Sequence, residues 1–222
     1  MLDLLCSEMT QIELAQKGIV SPQVKHVARE EGVVAEFVID GLLEGNIVVP
    51  VNPNHKSLVS SCGIGQGLRT KINANIGTSP DFFSVETELE KLGAAVDFGA
   101  DTVMDLSTGG DIPAVMRAII DASSVPVGTV PIYQAGIEAI EKHGTIVKMT
   151  VDEIFHVIEE QAKEGVDFMT LHCGVTQASV ARLKEEGRLT DIVSRGGAFI
   201  TGWMLHNNKD SPLYQYYDRL LE

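Results

Sequence analysis

From Arg69 onward, short apolar runs of strand character alternate with amphipathic stretches of helical period, and this alternation restricts the chain to a parallel α/β fold. Candidate strands lie near 69–75, 101–106, 125–132, 167–172 and 191–194, each followed by a helix. Glycines that can adopt a left-handed conformation mark helix ends: Ser84–Phe98 stops at Gly99 and Val151–Glu164 at Gly165. Residues 63–222 number 160, shared by five units at 32 each, and an eight-stranded barrel of about 250 residues uses about 31 per unit. Pattern alone fits a doubly wound open sheet of five strands, which it slightly favours, or a barrel cut after its fifth unit.

Residues 1–62 read as a separate helical and extended region. Thr10 and Glu13 have the spacing of a capping box, and Ser21-Pro22 sets a good N-cap before a proline at the first helical position. Gly32 and Gly45 act as stops, Asn46-Ile-Val-Val-Pro-Val51 reads as an edge strand, and Asn52 to Ser61 as loop.

A formal charge of −14 repels phosphate backbones and anionic bilayers, so nucleic acid and membrane surfaces are not expected partners. A small phosphorylated metabolite remains admissible, because a local Arg and helix-end amides outweigh the mean field at short range. Met1 to Glu8 has neither the basic start nor the apolar run of a secretory signal, and no stretch approaches the ~18 apolar residues of a membrane span. Cys6, Cys62 and Cys173 are odd in number and widely separated, which argues against a disulfide framework and for a reducing cytoplasm. Their spacing matches no zinc or iron–sulfur motif, so no metal site is expected within this chain.

In either architecture ligands bind beyond the carboxyl ends of the strands, and here those ends are polar. They read Asn73-Ala-Asn75-Ile-Gly77, Met104-Asp-Leu-Ser-Thr-Gly-Gly-Asp111, Val130-Pro-Ile-Tyr133-Gln, Thr170-Leu-His172-Cys-Gly174 and Val193-Ser-Arg-Gly-Gly197. Ser194-Arg195-Gly196-Gly197 can hold an anion through backbone N–H groups and a guanidinium, or can be a tight turn with a solvated Arg. Ser107-Thr-Gly-Gly-Asp111 has the same ambiguity, and there the reading of Asp111 as a cap for the helix that follows is favoured. By itself, His172 reads as a ligand, a proton-transfer residue or a satisfied strand-end histidine. Tyr133 reads equally as rim packing, Met104 as core, and Cys173 as a small buried residue. Gly63-Ile-Gly-Gln-Gly67 precedes a strand instead of following one, so it is not a dinucleotide loop.

Taken together, Lys71-Ile-Asn-Ala-Asn-Ile-Gly77, Gly99-Ala-Asp-Thr-Val-Met-Asp-Leu-Ser-Thr-Gly-Gly-Asp111, Val127-Gly-Thr-Val-Pro-Ile-Tyr-Gln-Ala135 and Ile192-Val-Ser-Arg-Gly-Gly197 resemble the phosphomethylpyrimidine synthase family in order and spacing. Met9-Thr-Gln, Lys17-Gly-Ile and the loop through Asn54-His55 extend the likeness over nearly the whole chain. The resemblance implies a (β/α)₈ TIM-type barrel, of which 63–222 would be the first five units, and so replaces the open sheet as the expected fold. It implies a radical carbon–carbon lyase of thiamine biosynthesis that converts 5-aminoimidazole ribotide into the phosphorylated hydroxymethylpyrimidine. The implied cofactors are S-adenosylmethionine, a [4Fe–4S] cluster and zinc. It carries substrate contacts onto Asn75, Met104, Tyr133, His172, Ser194, Arg195 and Gly196, with phosphate held at 194–196; it assigns no catalytic residue here. The family's later Gly-Asp-Gly strand end, metal-binding histidines and cysteine-rich cluster motif have no counterpart in these 222 residues. The chain therefore reads as truncated after its fifth unit and inactive by itself, the full-length form being a homo-oligomer. Two further readings share the motifs: 5-hydroxybenzimidazole synthase of cobamide biosynthesis, which uses the same ribotide, and a non-catalytic half-barrel that binds a ribotide or a partner chain.

Overall fold

The structure is a computed structural model that describes residues 9–222; the Met1–Glu8 stretch and Cys6 lie outside the described residues. Helix α1 (Gln11–Gln16) begins at a capping box in which the Glu13 N–H donates to the Thr10 hydroxyl and the Thr10 N–H donates to the Glu13 carboxylate. Helix α2 (Pro22–Glu31) starts where the Ser21 hydroxyl accepts the Val24 N–H at 3.0 Å and stops at Gly32, whose φ is +68°. With α3 (Ala35–Leu43), these helices bury Ala15, Val24, Val27, Val38, Leu42 and Ile47 in a core of their own. Strand β1 (Ile47–Val48) pairs antiparallel with β2 (Ile64–Gly65), and Leu68 packs on the same core. A Cβ on Gly65 would stand 2.1 Å from the Asn46 carbonyl oxygen, so the pairing requires glycine there.

The second unit holds a parallel sheet of β3 (Asn73–Ile76), β4 (Thr102–Asp105), β5 (Val127–Thr129) and β6 (Phe168–Met169), in that spatial order. Helices α4 (Val85–Asp97), α5 (Ile112–Ala122), α6 (Pro131–His143) and α7 (Val151–Glu164) connect and follow these strands, with a 3₁₀ turn at Ile146–Lys148. Side chains alternate across a strand, so Ile76, Val103 and Val127 share one face, where they pack on Leu92 of α4 and Val115, Met116, Ile119 and Ile120 of α5. Burying these apolar side chains stabilises the sheet by about 25 cal/mol per Å² of apolar area removed from water. The other face carries the register row Asn75, Met104, Gly128, Phe168. A Cβ on Gly128 would meet the Phe168 ring at 2.2 Å, so the glycine leaves the space that the ring fills.

Two expectations need correction. The stretch 191–194 is not a fifth strand: it makes no ladder with β6, Asp191 sits at φ +51°, and Val193 is 72% exposed. Four residues without a face to bury on gain too little to hold a ladder. The third strand also ends earlier than 132, because Pro131 opens α6 at its first position, where a missing N–H costs nothing. Tyr133 thus stands in the first turn of a helix. Helices α8 (Gln177–Glu186), α9 (Arg195–Asn207), α10 (Pro212–Gln215) and α11 (Tyr217–Leu221) complete the chain, α9 burying Ile200, Trp203 and Met204 against α6 and α7. Among the described residues no helix is long and apolar enough to cross a membrane.

The loop 52–60 fastens the first unit to the amino ends of the strands. Asn52 donates its side-chain N–H groups to the Ala162 and Val166 carbonyls, and Asn54 donates to Lys163. His55, with no exposed side-chain surface, lies 2.6 Å from the equally buried Asp167, whose carboxylate also accepts the N–H groups of Asn52 and Val127. Its other ring nitrogen lies 3.1 Å from the Ser123 carbonyl oxygen. Burial alone would lower the His55 pKa; the bonds to Asp167 and Ser123 outweigh it and hold the group above its ordinary value.

Candidate functional site

Of the seven residues singled out by the sequence, Asn75 and Met104 lie in β3 and β4, Tyr133 and His172 come shortly after β5 and β6, and Ser194, Arg195 and Gly196, which follow no strand, open α9. Asn75 and Met104 are register partners on β3 and β4, Asn75 exposed and Met104 half-buried. The Asn75 side-chain oxygen accepts from Asn73 at 2.9 Å, and the Met104 sulfur lies 3.9 Å from the Thr170 hydroxyl. Thr170 belongs to the segment that leads from β6 to His172.

Five of the seven form a tighter group. His172 Nε2 lies 2.8 Å from the Ser194 hydroxyl, which also accepts the Gly197 N–H and so caps α9. Gly196 packs beneath the imidazole, where a Cβ would meet His172 Cε1 at 2.3 Å and Ile132 at 2.8 Å. Arg195 places its guanidinium 5.6 Å from the Tyr133 ring centroid and donates to the Thr108 hydroxyl at 3.4 Å. Tyr133 is set in turn by an edge contact with Phe199, 6.3 Å between centroids. Burial lowers the His172 pKa and favours the neutral ring, and its Nδ1 is buried without a hydrogen-bond partner. The Arg195 residue is exposed and its guanidinium can take an anionic ligand, whereas the His172 Nδ1 is closed off from solvent.

Asp111 is a cap, as expected, its carboxylate accepting the Ala114 N–H at 3.0 Å. Cys173 is half-buried and not fully enclosed, with burial pushing its thiol up. Two residues escaped the sequence reading. Thr108 holds Arg195, and Asp105, 5% exposed, holds the turn that carries Thr108. Burial raises the Asp105 pKa, against the opposing effect of two bonds from Ser107. The available signal was an acidic residue closing an apolar strand.

A cavity of about 300 Å³ lies at the opposite, amino end of the strands, lined in part by Glu31, Cys62, Arg69, Lys71 and Asp101. Its charges already satisfy one another, Lys71 with Glu31 at 2.8 Å and Arg69 with Asp101 through two donors, so it reads as a join between the two units. Burial pushes the Cys62 thiol up to about 11. Among the described residues no group of three or more His, Cys, Asp or Glu side chains could hold a metal ion. These residues therefore do not fit an iron–sulfur cluster or a zinc ion.

The model of the Radical SAM ThiC family matches residues 10–222. The chain belongs to that family. It is 58% identical over 214 residues to the phosphomethylpyrimidine synthase of Thermoanaerobacter pseudethanolicus and 59% identical over the same length to that of Moorella thermoacetica, covering 96% of this chain and 49% of each relative. The phosphomethylpyrimidine synthase of Thermodesulfovibrio yellowstonii is 55% identical, with 96% of this chain and 50% of the relative covered. The chain thus spans about half the length of the curated relatives it matches.

Proposed function

We propose that this chain is the ribotide-binding part of a phosphomethylpyrimidine synthase, the lyase that converts 5-aminoimidazole ribotide into hydroxymethylpyrimidine phosphate for thiamine. The observation that carries the reading is the seat of Arg195, held by Thr108 beside Tyr133 and next to the first-turn amides of the 13-residue helix α9. A guanidinium so placed donates paired hydrogen bonds to phosphate, and Ser194 and the Gly196 backbone flank the same position. Asn75, Tyr133 and His172 would orient the ribose and imidazole, with Met104 as an apolar wall. S-adenosylmethionine and an iron–sulfur cluster are expectations of the family, and no step through them is assigned to these residues.

The barrel is part of the same proposal. Strand order follows sequence order, and α4 and α5 pack on one face while Asn73 and Asn75 lie open on the other. A doubly wound sheet instead reverses its order and covers both faces. We keep 1–62 as the N-terminal region, on which β2 and Leu68 pack, with the barrel strands beginning at β3, and place the full-length enzyme in the cytoplasm as a homo-oligomer.

The test is Arg195→Ala in the full-length enzyme. Ribotide binding should weaken by about 1.5–3 kcal/mol, the value of a charged hydrogen bond. Equal wild-type affinity for phosphorylated and dephosphorylated ribotide would overturn the assignment.

A further inference from the structure

The loops that leave β3 and β4 are sewn together behind Arg195. Ser107 donates both its N–H, at 2.9 Å, and its hydroxyl to one oxygen of the buried Asp105. The Ser107 hydroxyl accepts the Thr78 N–H at 3.1 Å, and the Thr78 hydroxyl donates to the Gly109 carbonyl at 2.6 Å. Gly77, one residue earlier, donates its N–H at 2.8 Å to Glu88, itself 1% exposed. A Cβ on Gly109 would stand 2.2 Å from the Ser79 carbonyl oxygen, so the two loops touch backbone to backbone.

Thr108 sits in the middle of this seam, 7% exposed, with its N–H bonded to the Thr78 carbonyl at 3.0 Å. Its hydroxyl donates to the same carbonyl at 3.3 Å. The hydroxyl proton is thereby committed, and the remaining lone pairs face Arg195 Nη1 at 3.4 Å. The direction of the chain is fixed: Arg195 gives to Thr108, and Thr108 gives to Thr78. A guanidinium has five donors, and one spent on Thr108 leaves the others for an anion. Without that acceptor an exposed Arg keeps more of its rotamer freedom, which binding must then remove.

We propose that Thr108 is a positioning residue for the Arg195 guanidinium, and that the Asp105–Ser107 pair fixes the turn that presents it. The inference rests on the reading of Arg195 as the phosphate contact. Thr108 touches no reacting atom in this account; it acts through Arg195, and so contributes equally to ground-state and transition-state binding.

The experiment compares Thr108→Val, Thr108→Ser, Asp105→Ala and Arg195→Ala in the full-length holoenzyme, with KM, kcat and melting temperature measured for each. Thr108→Val should raise the ribotide KM about five-fold, the size of one ordinary hydrogen bond, at unchanged kcat, with a lowered melting temperature because its buried bond to the Thr78 carbonyl is lost as well. Thr108→Ser should restore the wild-type KM, and Asp105→Ala, which removes the acceptor of Ser107, should raise the KM as Thr108→Val does; a wild-type KM in Asp105→Ala overturns the part given to the Asp105–Ser107 pair. A wild-type KM in Thr108→Val, or a fall in melting temperature that Thr108→Ser does not reverse, overturns the inference. If Arg195→Ala abolishes the preference for phosphorylated ribotide while Thr108→Val behaves as wild type, only the Thr108 role fails. If Arg195→Ala leaves that preference intact, the phosphate assignment fails and the Thr108 role with it.

Discussion

His172 and Ser194, 22 residues apart in sequence, meet at 2.8 Å, and they meet because Gly196 leaves room for the imidazole between Ser194 and Ile132. The same hydroxyl starts α9, so the imidazole, the helix cap and the helix that bears Arg195 are one mechanical unit.

Gly196→Ala tests that unit. The added methyl would lie 2.3 Å from the His172 ring, and the ring, at the end of a short connection, is the part that can move. Overpacking of this kind costs about 1–3 kcal/mol. The expected outcome is a lower melting temperature and at least about ten-fold weaker ribotide binding in the full-length enzyme, by calorimetry. Unchanged binding at lowered stability would remove His172 from the site.

The His55–Asp167 pair sets a pH dependence. The folded-state pKa of His55 is raised, so its contribution is fully present below the unfolded value of about 6.5 and is lost as pH rises through the folded value. Urea midpoints should therefore decline across that window on the alkaline side, and a His55→Gln variant should lack this component. Removing one partner of a buried pair costs about 3–5 kcal/mol, so the variant should also be markedly less stable at neutral pH.

The legible parts of the fold were local. Thr10, Ser21 and Asp111 cap helices through partners three residues away, and the strand-helix alternation named four true strands. The stretch 191–194 misled because an apolar run shows strand propensity but not whether a neighbour exists to pair with, and Val193 has none to pack against. The carboxyl-rim residues were visible because strand ends are where such folds place ligands. Thr108 and Asp105 were not, because their importance lies in contacts with Arg195, 87 residues on from Thr108, and with a turn whose geometry composition does not encode. His55 and Asp167, 112 residues apart, escaped for the same reason.

Glu153 gives the opposite pH response. The Lys142 ammonium, 2.5 Å away, is the largest influence; against the opposing effect of burial, and with bonds from the Thr150 N–H and His143, it holds the carboxyl down at about 2 from an ordinary 4.5. A depressed carboxyl contributes stability that is present above its unfolded pKa and lost as pH falls towards the folded one. The stability gap between wild type and Glu153→Gln should be constant above 4.5 and close as pH approaches about 2, by urea titration at several acid pH values. High salt should narrow it, since the side chains remain partly in water.

The last expectation concerns the free side of the sheet. Among the described residues no strand pairs with the outer edge of β3 or of β6, and Asn73, Asn75 and Thr170 are exposed. Beside that edge Ile72 is 59% exposed, and Phe82 and Phe83, in the loop after β3, are 60% and 61% exposed. An open parallel edge flanked by apolar side chains is a template for another chain, and natural edges are usually blunted by a lysine. The 222-residue polypeptide expressed by itself should therefore self-associate as its concentration rises. Ile72→Lys should increase the monomer fraction, because a solvated ammonium would have to be buried for a second edge to dock, while leaving the Ile72 backbone bonds to Asp101 and Thr102 in place. Size-exclusion chromatography with light scattering, run across about a hundred-fold range of concentration, decides the matter. A wild-type polypeptide that stays monomeric over that range would show that the edge is protected, and would count against the proposal that further strands belong beside β3.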